Sequence, residues 1–281
     1  MPAVRMSLPH RRPSCSADLI AGCFSGAGAA ARALLRGKLC PSCFPEFMSI
    51  AENIASIRER IGAAAQRAGR DPEDLTLMAV SKTFPAEAIR EAYAAGLRVF
   101  GENRVQEFAG KAEWLRDLPE ARWHMIGHLQ SNKAGKAAEL FHGVDSVDSL
   151  KLAEKLNDAA ATVGKKLAVL LEVNVGGEAA KTGMAADSAE MENLLSSATR
   201  LTNLEISGLM TIPPYTEDPE AARPYFQKLG SLRDQIAARH LPAVHMRTLS
   251  MGMSHDFEIA IEEGSTCVRV GTAIFGVRPK R

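Results

Sequence analysis

The chain of 281 residues sets 34 Lys and Arg against 33 Asp and Glu, a net charge of +1, with 46% hydrophobic and 24% charged residues. Such a make-up belongs to a soluble globular protein long enough for one large domain, with no charge excess to draw it onto nucleic acid or a membrane surface. The longest strongly apolar run, LAVLLEVNV at 167 to 175, falls far short of the roughly 20 residues that span a bilayer, which excludes a transmembrane protein.

Residues 1–47 stand apart from the rest. They hold Cys15, Cys23, Cys40 and Cys43, only the acids Asp18 and Glu46, and scattered arginines, serines and glycines without a sustained period. We read them as an irregular N-terminal extension, either a targeting segment or, as we prefer, the product of a start upstream of Met48. Asp18 interrupts the short apolar stretch and disfavours a secretory signal. The pair Cys40 and Cys43, in CPSC, lacks the second pair or strand-helix context that a metal or redox motif needs. Cys267 lies in an apolar run, TCVRVG, where a buried structural thiol is expected; one cysteine in the folded part suits a reducing cytoplasm.

From Met48 the pattern becomes regular. A helix is expected over SIAENIASIRERIGAAAQRAG, followed by strand-like runs at 75 to 80, 98 to 103, 123 to 127, 143 to 148, 168 to 175, 205 to 212, 248 to 253 and 267 to 274. Helical patterns separate them at 85 to 95, 104 to 115, 131 to 141, 149 to 162, 186 to 200, 218 to 239 and 254 to 263. Eight alternations without a Rossmann glycine fingerprint predict an α/β fold, a single (β/α)8 TIM-type barrel over 48–281 with an extra N-terminal helix. An open doubly wound sheet is the alternative, because strand order is not written in one sequence.

In such a barrel the functional residues sit where strands end and helices begin. Those positions hold Lys82, Glu102 and Asn103, His128, Asn174, Met210, the loop from Ser250 to Ser254, and the stretch from Arg269 to Thr272. Ser254 is expected as a helix N-cap, with Ser250 and Gly252 shaping the approach to it, while Gly271 admits a close ligand and Thr272 adds a hydroxyl and an amide. Two such turns after the last two strands favour a phosphate site. A lysine in a partly desolvated barrel mouth would have its ammonium form disfavoured and its amine freed to condense with an aldehyde. Pyridoxal 5′-phosphate (PLP) carries both groups.

The motifs AVSKT, FGENRVQE, WHMIGHLQSNK, KTGM, GLMTIPP, LSMGMSHDFEIAI and GSTCVRVGTAIFG occur in that order between Met48 and Arg278. Through them the sequence resembles the pyridoxal phosphate homeostasis proteins (the YggS/PROSC family), which are similar in fold to the barrel domain of alanine racemase. The resemblance implies that Lys82 forms the Schiff base with PLP, that the cofactor phosphate lies against Ser250, Gly271 and Thr272, and that Arg269 stands near the pyridine nitrogen. It places Asn103 along the ring. It also implies a carrier and buffer of PLP for apoenzymes without established turnover. Where many relatives have a second lysine two places after the first, this chain has Phe84, leaving Lys133 and Lys181 as candidates for a second amine.

Other residues have plainer readings. His124 and His128 span a strand and its glycine turn, not one helix face, so no metal is expected. Glu102 is a general base or, as readily, a pairing or capping residue; Asp256 and Glu258 favour a helix dipole. QKLGSLRDQIAA is an ordinary amphipathic stripe. Three functions follow in order: a PLP carrier, a single-domain amino-acid racemase, and a barrel for some other phosphorylated metabolite. A racemase needs an acid-base group opposite Lys82, and of Tyr93, Tyr215 and Tyr225 only Tyr215 follows a strand end. The carrier is expected to be a cytoplasmic monomer whose partners are PLP and PLP-dependent apoenzymes, with neither nucleic acid nor membrane.

Overall fold

The computed structural model describes residues 48–178 and 182–277, so the extension with its four cysteines, and Lys181, lie outside the described residues. Helix α1 (Ile50–Arg67) starts at a capping box: Ser49 Oγ accepts from the Glu52 N–H, and Glu52 Oε2 accepts from the Ser49 N–H at 2.7 Å. Ile54, Ile57, Ile61, Ala64 and Ala65 recur at helical spacing and are buried.

Eight strands follow: β1 (Thr76–Val80), β2 (Val99–Glu102), β3 (Arg122–Met125), β4 (Gly143–Val147), β5 (Leu167–Glu172), β6 (Leu204–Met210), β7 (Val244–Met253) and β8 (Cys267–Val270). Each pairs in parallel with the next, and β8 returns to β1 with Arg269 opposite Met78, so the sheet is a closed barrel and the open alternative is excluded. Between consecutive strands run α2 (Ala86–Ala94), α3 (Val105–Ala112), α4 (Ala134–Leu140), α5 (Leu150–Thr162), α6 (Ala189–Ser197), α7 (Arg223–Ala238) and α8 (Phe257–Glu262), and the one-turn α9 (Thr272–Phe275) follows β8.

The role of α1 comes from what α9 leaves undone. A (β/α)8 barrel needs eight outer helices, and a single turn after β8 does not cover the β8–β1 seam. Helix α1 packs between α8 and α2 and takes that place. It is fastened by Arg60 to Glu258 through two nitrogens, by Arg67 to Glu262, and by Asn53 to the Ile274 carbonyl.

Strand alternation sorts side chains into two environments. Ala79, Phe100, Trp123, Met125, Val144, Leu249, Met251, Val268 and Val270 join the helices in the large apolar cluster outside the barrel wall. The alternate positions point inward. Met78, Val80, Ile126 and Cys267 form a small apolar plug, while His124, Asp145, Glu172, Ser250 and Arg269 bring polar and charged groups into the interior. His124 Nδ1 meets Asp145 Oδ1 at 2.8 Å, and His128 on the following loop meets Asp148. Each imidazole therefore has its own carboxylate. Among the described residues no group of three or more His, Cys, Asp and Glu is placed to hold a metal ion.

Two local expectations are corrected. The run CVRVGTAI reads as one strand, yet β8 stops at Val270, and Gly271 turns the backbone (φ −116°, ψ −76°) so that TAIF forms α9. Ser254 is not the N-cap of the next helix; Asp256 is, and its Oδ1 accepts from the Met253 N–H at 2.6 Å across a tight turn.

If α1 is an integral wall, Ile57→Ala lowers stability by about 2–4 kcal/mol in urea denaturation, as expected for a buried truncation, whereas Glu59→Ala, on its exposed side, shifts it by no more than about 0.5 kcal/mol. The interior pair predicts a pH dependence. Burial alone would lower the His124 pKa, but the charge and hydrogen bond of Asp145 outweigh it and raise the pKa above 6.5. The stabilisation is therefore complete below about pH 6.5 and fades as pH rises through the higher folded value. The stability gap between the parent protein and His124→Gln should narrow as pH rises above about 6.5; a constant gap would count against the charged pair.

Candidate functional site

At the carboxyl ends of β1, β2, β6, β7 and β8 lies a cleft of about 390 Å³, walled by Lys82, Phe84, Asn103, Tyr215, Ser254, His255, Arg269, Gly271 and Thr272 and floored by Val80 and Ile126. Of the six residues singled out as cofactor contacts, five line it and Ser250 does not.

Lys82 enters two residues beyond the end of β1. The next residue, Thr83, adopts φ 69°, a left-handed conformation that a β-branched residue seldom takes. Lys82 Nζ donates to Asn103 Oδ1 at 3.4 Å, so the ends of β1 and β2 present an amine and an amide together. Glu102, just before Asn103, faces away from this chemistry. Fully buried, it pairs with Lys111 Nζ at 2.8 Å and accepts from Ser81 Oγ at 2.6 Å. Burial raises its pKa against the pull of Lys111 and Ser81, and it is a pairing residue.

Arg269 projects inward from β8 and is only 3% exposed. Its Nη1 donates to Ser250 Oγ and its Nη2 to the Thr211 carbonyl, both at 2.8 Å. Burial lowers its pKa, opposed by Asp145, Asp256 and Glu172 among its neighbours; a guanidinium nevertheless stays charged at neutral pH. Ser250 is thus the rest on which the guanidinium lies, and Ser254, four residues on, supplies the hydroxyl on the cleft wall. Burial pushes the Cys267 thiol up to about 12, which leaves it protonated and inert.

The third side is shaped by glycines. Gly252, at φ 91°, carries β7 into α8, and a Cβ there would stand 2.5 Å from Ala260 Cβ. At Gly271 a Cβ would press on Val80 Cβ at 3.3 Å, so that the backbone itself forms the wall. Thr272 opens α9, whose first N–H groups have no carbonyl behind them within the helix.

Several strand-end residues lie elsewhere. Met210 is buried, His128 pairs with Asp148, and Asn174 Nδ2 ties its own loop through the Glu178 carbonyl. Tyr93 lies under Arg98 and Tyr225 under Lys228, whereas Tyr215 reaches the cleft with its ring 5.7 Å from that of His255. Phe84 is buried and stacks on Phe275 at 4.8 Å, linking the lysine-bearing turn to α9. Lys133 stands at the start of α4, outside the cleft wall. Sequence reasoning set Ser254 at the barrel mouth but as a helix cap, and missed Lys111 altogether; an i to i+4 acid-lysine pair on α3 was its only mark.

Comparison with known proteins bears on the family and the fold. Residues 50–279 match the alanine racemase N-terminal domain family. The chain is 46% identical over 231 residues to the pyridoxal phosphate homeostasis protein of Aquifex aeolicus, covering 82% of this chain and 99% of that one. It is 49% identical over 230 residues to the protein of the same name from Pseudomonas aeruginosa, covering 82% and 96%. The solved structure of PipY from Synechococcus elongatus with PLP bound superposes with a TM-score of 0.71 at 39% identity, covering 81% of this chain and all of that one. With nearly half of the aligned residues identical to those of relatives matched almost end to end, the chain belongs to the pyridoxal phosphate homeostasis protein family.

Proposed function

We propose that the protein binds PLP in this cleft, captures it through Lys82, and holds it as a buffer from which PLP-dependent apoenzymes are supplied. The observation that carries the reading is the convergence on one cleft of a lysine amine, a buried arginine held by two acceptors, and a wall of hydroxyls and backbone at Ser254, Gly271 and Thr272. These residues fit the cofactor group by group. An aldehyde calls for an amine, a pyridine nitrogen for a donor, and a phosphate for several donors at close backbone approach.

When bound, the cofactor supplies an aldehyde carbon open to attack by a primary amine, on an aromatic ring. Asn103 keeps the Lys82 amine turned to the cleft. Arg269 offers only donors and a fixed charge, and so leaves the ring nitrogen unprotonated. Such an arrangement suits holding more than carbanion chemistry, which needs a stronger electron sink. Phosphate is assigned to Thr272, the Gly271 backbone and Ser254, with Ser250 acting through Arg269. The curated relatives carry a homeostasis name, not an enzyme's.

Racemisation is the second reading, because Tyr215 does reach the cleft. Its side chain is 80% exposed, however, where a phenol exchanges protons with water as readily as with a substrate. Among the described residues no helix is long and apolar enough to cross a membrane. On this reading the protein works as a monomer in the cytoplasm.

Protein mixed with PLP should turn yellow, lose the visible band in Lys82→Ala, and after borohydride reduction carry the cofactor on the peptide containing Lys82; a colourless protein with no fixed cofactor sinks the proposal. Thr272→Val, which removes one exposed hydroxyl, should weaken PLP binding about threefold to tenfold. Unchanged affinity would remove Thr272 from the phosphate wall.

A further inference from the structure

We infer that Glu107 and Lys111, one turn apart on α3, are positioning residues that hold the turn of residues 81–84 in a strained conformation and so aim Lys82 into the cleft. The inference rests on Lys82 being the capturing amine and adds what sets its direction.

The turn is short and unfavourable by itself. Thr83 sits at φ 69°, and its hydroxyl is buried without a hydrogen-bond partner, so the side chain brings no compensation of its own. A β-branched residue persists in that conformation only where its surroundings over-determine it. Here they do, and the fastening comes largely from α3. Glu107 Oε1 accepts from the Thr83 N–H. Lys111 Nζ donates to the carbonyls of Ser81 at 3.1 Å and Phe84 at 3.2 Å, the two residues that flank Lys82 and Thr83.

Lys111 is 9% exposed, which sets it apart from a solvated helix lysine. Its charge is matched by Glu102 at 2.8 Å and Glu107 at 3.8 Å, and Glu102 in turn accepts from Ser81 Oγ. A buried cation that spends donors on two backbone carbonyls fixes that backbone. Released from it, Thr83 would relax toward an unstrained φ, and the peptide carrying Lys82 would rotate with it. The amine would then leave the neighbourhood of Asn103.

The test separates capture from binding. PLP has an aldehyde for Lys82 to attack, whereas pyridoxine 5′-phosphate, with an alcohol in its place, reports the rest of the cleft. Glu107→Ala should slow covalent capture of PLP about tenfold to a hundredfold, as expected when a reacting group is misplaced, while affinity for pyridoxine 5′-phosphate stays within about twofold. Amide hydrogen exchange across residues 81–84 in cofactor-free protein should quicken. Glu107→Gln, whose amide oxygen still accepts from Thr83, should capture close to the parent rate. Adding Thr83→Gly to Glu107→Ala should restore most of the rate, because glycine takes positive φ without strain. Lys111→Met should slow capture in the same way, and should it fail to fold, the Glu107 series decides. Parent-like capture by Glu107→Ala, an equal loss of pyridoxine 5′-phosphate affinity, or no rescue by Thr83→Gly would overturn the inference. A parent protein that captures nothing on Lys82 would instead overturn the proposed function beneath it.

Discussion

The pairing of β8 with β1 is the constraint on which the rest of the molecule depends. It sets Arg269 opposite Met78 and closes the barrel. It also makes neighbours of Lys82 and of Gly271 and Thr272, which stand at opposite ends of the described chain. Parallel strands far apart in sequence carry a large loop-closure cost and must be held from outside as well as by their own ladder. Helix α1 does this by covering the seam that α9 is too short to cover, with its isoleucines in the main apolar cluster. The helix that precedes the barrel is thus tied to the site by geometry, although none of its side chains reaches the cleft.

Closure then decides what the interior can hold. An apolar interior would leave Arg269 as an unpaired buried charge, an arrangement costly enough to be avoided. Asp145, Asp256 and Glu172 supply opposing charge, and Ser250 and Thr211 supply acceptors. The guanidinium is therefore fixed before any ligand arrives, so that no ordering is left to be done on binding. His124 belongs to the same arrangement, since its pair with Asp145 anchors one of those carboxylates.

Much of this was legible in the sequence. The eight apolar runs, their helical partners and the strand-end positions of Lys82, Asn103, Arg269, Gly271 and Thr272 followed from periodicity and from where barrels place their chemistry. Closure was expected from the count of eight alternations, but setting it above an open sheet needed the strand order, which one sequence does not state. GTAI reads as strand since threonine and isoleucine favour it, and only the turn at Gly271 shows otherwise. Ser250 and Ser254 look alike in the sequence; strand alternation and a tight turn send one under Arg269 and the other to the cleft. Lys111 was invisible as a functional residue, because nothing local distinguishes a helix lysine that reaches inward to two carbonyls from one in water.

A site that stores an aldehyde must also give it up, and the cleft is built unevenly in a way that suits both. Its inner side is rigid: Arg269 is 3% exposed, Phe84 is 8% exposed and stacked on Phe275, and the lysine-bearing turn is fastened to α3. Its outer side is Tyr215 at 80% exposure and Ile212 at 42%, on the loop that follows β6. Firm contacts on one side fix the approach of a ligand, while the open side leaves water and incoming amines free to reach Lys82. With Phe84 closed into its stack, no second amine adjoins Lys82 on that turn. On the proposed reading the cofactor would exchange across this rim, where Tyr215 and Ile212 are exposed.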